Sequence, residues 1–188
     1  MYLQQQPIIL ASKSPRRQEL LKLMGLDYTI ELKEIDESYP DGLEPAQIAM
    51  YIAEQKAKAF GHAAGQIVIT ADTIVALGGE ILGKPKDKAD AQQMLRKLSG
   101  SQHEVFTGVT LMANDKVVTF FDVSTVFCRE VTEEEIEFYI ENFKPFDKAG
   151  AYGIQDWWGL TVVERIHGSY TNVMGLPTEK LYAYLKNS

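Results

Sequence analysis

Ile67-Val68-Ile69-Thr70-Ala71 is a continuous apolar run rather than an alternating one. Such runs suit strands that are covered on both faces. Ile8-Ile9-Leu10-Ala11-Ser12 is a second short run of the same kind. Residues 73–77 read as a strand that turns at Gly78-Gly79 and returns through Glu80-Ile81-Leu82. Residues 103–127 read as a long hairpin turning at Asn114-Asp115, and residues 160–166 as a last strand. Helices are expected between them. Ser14 and Pro15 supply an N-cap and a first helical residue, and Gly25 a stop. Arg17, Leu20, Leu21 and Met24 share one face of that helix. Pro45 opens a second helix with Ile48, Ala49, Ile52, Ala53, Ala59 and Phe60 as its apolar stripe. Asp87 caps a third, closed by Gly100. Thr132 and Glu135 form a capping box for a fourth. Pro177 opens the terminal helix. Strands and helices alternate through both parallel crossovers and hairpins, which predicts an α/β class with a mixed sheet. The length of 188 residues suits one domain, 1–188, with two lobes around a cleft as a permitted form.

The charge balance restricts partners. A formal net charge of -7 disfavours nucleic acid polymers and anionic lipid. It leaves room for a small anion at a local basic cluster. The one cysteine, Cys128, excludes an intramolecular disulfide and a cysteine-rich metal site. It lies in an apolar alternating run and reads as an inert buried thiol. There is no basic segment followed by a long apolar one at the N-terminus, and no apolar run near ~18 residues. Neither a signal peptide nor a membrane span is expected, and the cytoplasm is the expected location.

Three constellations bear on chemistry. In the first, a strand runs through Ser12-Lys13-Ser14-Pro15-Arg16-Arg17 into a helix. Free N–H groups and the positive dipole end favour phosphate at a helix start, whereas arginines there oppose the dipole unless an anion is present. The bland reading is a capped helix with two solvent-facing arginines. It is not a Walker loop, because the glycines and the terminal lysine–hydroxyl pair are missing. In the second, Asp72 closes a strand expected at the sheet centre, where ligands of open α/β sheets collect. It reads either as a turn aspartate or as a group that holds Mg²⁺ or takes a proton from water. The third is Glu37, Lys56 and Lys84, charged residues near element ends. Lys56 falls on the apolar stripe of its helix, either snorkelling from the edge or serving a site. His62, His103 and His167 lack metal-ligand spacing. Trp157-Trp158 reads as a base-stacking pair or as ordinary packing.

Leu10-Ala11-Ser12-Lys13-Ser14-Pro15-Arg16-Arg17, with Glu19-Leu20-Leu21, resembles the opening signature of the Maf family of nucleotide pyrophosphatases. Ala71-Asp72-Thr73, Gly83-Lys84-Pro85, Leu98-Ser99-Gly100, Asp147-Lys148-Ala149-Gly150-Ala151-Tyr152-Gly153-Ile154-Gln155, and Gly168-Ser169-Tyr170 with Gly175-Leu176-Pro177 resemble later blocks in the family's order. The resemblance implies a two-lobed α/β fold with a mixed twisted sheet, related to the inosine-triphosphate pyrophosphatases. It implies hydrolysis of a nucleoside triphosphate to the monophosphate and pyrophosphate with Mg²⁺ or Mn²⁺. It maps the general base to Asp72, phosphate contacts to Ser12, Arg16 and Arg17, and further site positions to Glu37, Lys56, Lys84 and Gln155. Glu37 and Asp72 are the implied metal ligands.

Thr73 directly after the aspartate, with Arg16 and Gln155, resembles the branch acting on dTTP and UTP. An amide at Gln155 can pair with a donor and an acceptor on a uracil or thymine edge. Asp156-Trp157-Trp158 is bulkier than the family's residues at this stretch and leaves tolerance of modified pyrimidines open. Kinship suggests a homodimer. The rival readings are a purine-directed pyrophosphatase of the inosine-triphosphate type and a non-catalytic nucleotide-binding regulator of cell division.

Overall fold

β3 (Ala63–Leu77) is the axis of the fold. The computed structural model describes residues 6–61, 63–114 and 116–186; His62 and the Asp115 half of the expected turn lie outside them. On one side, β3 pairs in parallel with β1 (Ile8–Leu10), which pairs in parallel with β2 (Tyr28–Ile30). On the other side it pairs antiparallel with β5 (Gln102–Asn114). The sheet continues antiparallel through β6 (Lys116–Cys128) to β7 (Val163–His167). The short β4 (Glu80–Leu82) folds back on the end of β3. The sheet is therefore mixed, as the sequence predicts.

Helices cover both faces. Ile8, Leu10, Ile67 and Ile69 pack with Leu20 and Leu21 of α1 (Pro15–Leu23) and with Leu181 and Leu185 of α7 (Thr178–Lys186). Ile9, Val68 and Met112 face the other way, onto Ala57 of α2 (Pro45–Lys58). This is the period-two alternation of strands whose two faces are both buried. Farther along β3, Val75 joins a second core with Leu95 and Leu98 of α3 (Lys88–Leu98), Ile136 and Tyr139 of α4 (Glu133–Phe143), and Trp158 of α5 (Trp157–Thr161). Ser14, Asp87 and Thr132 cap their helices with side-chain oxygens, as expected.

Three local expectations change. β3 does not stop at Asp72 but runs straight through it, because β5 pairs continuously from Ile67 to Ala76. Leu160 and Thr161 close a helix rather than open the last strand, because the Asp156 side chain accepts from Trp158 N–H and starts α5. Ala59 is exposed at the end of α2, and Ala57 takes its place in the core. A short α6 (Tyr170–Met174) precedes α7. Cys128 is buried, and burial pushes its thiol up to about 11, in keeping with an inert group. Among the described residues no helix is long and apolar enough to cross a membrane.

Candidate active site

The site follows from unequal strand lengths. β1 pairs with β3 only at Ile67, Val68 and Ile69, and β4 pairs only at Val75, Ala76 and Leu77. Between them the edge of β3 at residues 70–74 has no strand beside it among the described residues. A cleft of about 680 Å³ opens across this gap. Its walls come from the β1–α1 loop, the segment before α2, α2 itself, the turn at Lys84, and the runs 147–154 and 173–175. Seven basic side chains line it against four carboxylates: Lys13, Arg16, Arg17, Lys33, Lys56, Lys84 and Lys148 against Glu34, Glu37, Asp72 and Asp147. A chain of net charge -7 thus holds a locally positive cleft.

Successive side chains on a strand point to opposite faces. Asp72 points to the face covered by α2, where Lys56 Nζ donates to its Oδ1 at 2.8 Å. The same ammonium meets Glu37 Oε1 at 2.9 Å. Both Lys56 and Asp72 are largely shielded, with side chains 17% and 15% exposed, whereas Glu37 is 53% exposed. Partial burial raises the Glu37 pKa, but the Lys56 ammonium, aided by Lys84 and Arg17, outweighs this and holds it below the usual carboxylate value. The inward lysine on the α2 stripe is therefore a bridge between two carboxylates. Lys84 is an exposed cation on the cleft wall.

Thr73 points to the opposite face. Its hydroxyl accepts from Arg17 Nη2 at 3.0 Å and pairs with Thr107 at 3.0 Å. Arg17 is held more fully than a solvent-facing arginine would be. Nε donates to Gly175 O at 2.7 Å, and Nη1 to Ala71 O at 2.8 Å and to Ser12 Oγ at 3.3 Å. Four of its five N–H donors are thus committed to the protein. Burial lowers its pKa, and the Asp72 charge opposes that shift. Ser12 Oγ also accepts from Ser14 N–H at 3.2 Å. Arg16 lines the cleft and makes no hydrogen bond or ion pair among the described residues. The paired arginines therefore differ: Arg17 ties three segments together, while Arg16 keeps its donors free.

Gln155 departs from the expected group. Its Nε2 donates to Glu19 Oε2 of α1 at 3.3 Å, and the residue is not among those lining the cleft. Trp157 and Trp158 do not line it either. Trp158 is fully buried, and Trp157 packs against Phe138 and Tyr139. His103 is buried against Tyr152, and His167 is exposed. Sequence reasoning gave no role to Lys148, although the structure places it in the cleft wall. Its signal was position, a lysine directly before the glycine-rich run.

The residues present suit a hard divalent cation. Mg²⁺ is commonly held by one or two carboxylates together with substrate phosphates. Asp72 and Glu37 already direct one oxygen each at a single cation, Lys56 Nζ. No group of three or more His, Cys, Asp or Glu residues is placed to hold a metal among the described residues. The donor set thus fits a metal completed by phosphate and water, not an all-protein cage.

The Maf-like protein family model matches residues 7–188. The chain is 50% identical over 182 residues to a dTTP/UTP pyrophosphatase of Flavobacterium psychrophilum, spanning 96% of this chain and 93% of that protein. It is 49% identical over 182 residues to a dTTP/UTP pyrophosphatase of Bacteroides thetaiotaomicron, spanning 95% and 94%. Among solved structures, a HAM1 protein from Coxiella burnetii matches with a TM-score of 0.52 at 16% identity, over 97% of this chain and 100% of that one. The Staphylococcus aureus Ham1 protein matches with 0.53 at 17% identity, over 96% and 98%. At these identities the structural likeness concerns the fold, which is the one the sequence led us to expect.

Proposed function

The chain belongs to the Maf-like protein family, and from that premise we propose that it hydrolyses dTTP and UTP to the monophosphate and pyrophosphate. The observation that carries the chemistry is the convergence of Asp72 and Glu37 on Lys56 inside a positively charged cleft. The substrate class follows the relatives, which share about half of its residues over nearly their whole length.

The reaction proceeds by in-line attack of water on the α-phosphorus. A new P–O bond forms, the bridge to the β-phosphate breaks, and pyrophosphate departs. Asp72 accepts the proton that the water loses. Its Oδ1 is held by Lys56, while Oδ2 has no hydrogen-bond partner among the described residues and is free to serve as base. Lys56, Lys84 and Arg16 offset charge on the phosphate oxygens, an electrostatic contribution that grows as water is excluded. Arg17 acts at one remove, fixing the edge of β3 and the turn at Gly175 around the substrate. Asp72 and Glu37 would hold the divalent metal, Mg²⁺ or Mn²⁺, which supplies further neutralisation of the triphosphate when bound.

A panel of nucleoside triphosphates, assayed with and without Mg²⁺ and with both products identified, tests this reading. Metal-dependent release of pyrophosphate and monophosphate from UTP and dTTP is expected. Preference for inosine triphosphate would instead support a purine-directed enzyme. Nucleotide binding without turnover would support a regulator.

A further inference from the structure

The cleft has a second compartment that the carboxylate–lysine cluster does not use. It lies on the Thr73 face of the sheet. Val75 and Val105 stand opposite each other in the β3–β5 ladder and both line it. The run 149–154 closes over them: a Cβ on Gly150 would stand 3.0 Å from Val75 Cγ1. Tyr152, Ile154, Val173 and Met174 complete an apolar lining. Strand alternation therefore puts the Asp72 carboxylate on one side of β3 and a space with an apolar lining on the other. That division suits a substrate with a charged end and an aromatic ring.

One cation is built into the wall of the second compartment. The Lys148 stem runs along Gly153, where a Cβ would stand 3.2 Å from Lys148 Cε. The side chain is only 15% exposed, while its ion-pair partner Asp147 is 67% exposed, with Nζ to Oδ1 at 2.8 Å. Asp147 takes one of three ammonium donors; no other hydrogen bond from Lys148 Nζ is made among the described residues, and the Asp156 carboxylate beside Gly153 also acts on it through space. The charges acting at the two ends of the cleft also differ. The basic groups acting on Asp147 are Lys148 and Arg16. Those acting on Glu37 are Lys56, Lys84 and Arg17.

We propose that Lys148 is a specificity-determining residue that donates a hydrogen bond to the O4 carbonyl of the pyrimidine held in this apolar compartment. The proposal rests on the function proposed above. Thymine and uracil present carbonyl acceptors on either side of N3, whereas cytosine presents an amino donor in place of O4. An ammonium offers donors and no acceptor, so it can satisfy the first pair of bases and leaves the cytosine amino group unmatched. A site built to pair with a polar group strongly rejects the analogue that cannot supply it.

The test compares Lys148→Met and Lys148→Arg with the wild-type chain on UTP, dTTP and CTP, together with inhibition by inorganic pyrophosphate. Lys148→Met should lower kcat/KM for UTP and dTTP at least tenfold and spare CTP, so that the UTP-to-CTP ratio falls by a similar factor. Lys148→Arg, which keeps the donors, should restore most of that ratio, and pyrophosphate inhibition should not change. Equal losses on UTP and CTP with weakened pyrophosphate inhibition would overturn the proposal and make Lys148 a phosphate contact. An unchanged ratio in Lys148→Met would also overturn it. A wild-type chain that turns over neither UTP nor dTTP would instead bring down the function on which the proposal rests.

Discussion

Gly108 stands directly opposite Asp72 in the β3–β5 ladder, on the face that α2 covers. A Cβ at Gly108 would lie 2.4 Å from the carbonyl carbon of Ala49 and 2.5 Å from Met50 N. The glycine is what lets the α2 backbone descend onto the sheet. Lys56 follows Ala49 by two helical turns, so the depth of α2 also sets how far its ammonium reaches toward Asp72. Gly108→Ala should cost about 1–3 kcal/mol through backbone overlap. Calorimetry should show a melting temperature several degrees lower, at roughly 2–4 °C per kcal/mol for a chain of this size. Turnover should fall as well, because the 2.8 Å contact from Lys56 to Asp72 is stretched. An unchanged melting temperature would mean that α2 shifts freely and does not position Lys56.

Arg16 and Arg17 should separate cleanly on mutation. Arg17→Lys removes a fork that satisfies Ala71 O, Gly175 O and Thr73 Oγ1 at once. A lysine cannot reproduce that planar arrangement. A lysine can remake one of the three bonds, and the two left unmade cost ~1–3 kcal/mol each, so a total loss of roughly 2–6 kcal/mol is expected from denaturant unfolding. Arg16→Lys touches no internal bond and should leave stability within about 0.5 kcal/mol. It should still lower kcat/KM. Equal destabilisation by the two substitutions would contradict the division of labour drawn between them.

Much of this site was legible because its residues announce themselves against local rules. Arginines at a helix start and a lysine on an apolar stripe are locally unfavourable, and both turned out to face the cleft. The caps at Ser14, Asp87 and Thr132 were readable because each is decided within four residues. What could not be read was long-range. That Arg17 spends its donors on Gly175 and Ala71 depends on contacts 158 and 54 residues away. That β3 continues through Asp72 depends on pairing with β5, not on anything at Asp72 itself. That Leu160 and Thr161 end a helix is hidden because apolar residues there fit the start of a strand equally well, and only the Asp156 cap decides the matter. Gln155 was assigned to the substrate by resemblance, yet its amide is held by Glu19.

Asp72→Asn probes the proposed base directly. The amide is isosteric and can still accept from Lys56 through its oxygen, so the fold should persist with little change in melting temperature. It cannot take a proton from water. General-base contributions are typically 10²–10⁴-fold, and a loss of kcat in about that range is expected. Nucleotide affinity measured without turnover should change much less, because Lys56, Lys84 and Arg16 remain. Near-normal turnover in the variant would remove Asp72 from the role of base.

His103 should give the chain an acid-sensitive core. It is 1% exposed, and its Nε2 lies 2.7 Å from Tyr152 Oη. Its Nδ1 has no partner among the described residues. Burial lowers its pKa from 6.5 to about 4. The folded state therefore keeps the ring neutral at pH values where the unfolded chain has already protonated it. The unfolded state binds the extra proton between pH 6.5 and 4, so stability falls as pH falls through that window. At 1.36 kcal/mol per pKa unit the loss amounts to roughly 3 kcal/mol by pH 4, with no further contribution below it. Carboxylates titrate in the same region, so the useful quantity is the difference in unfolding free energy between the wild type and His103→Gln. That difference should be constant above pH 7 and should move against the wild type by roughly 3 kcal/mol between pH 7 and 4. A difference that stays level across this range would mean that the folded protein accommodates the imidazolium, and that the Tyr152 contact does not depend on a neutral ring.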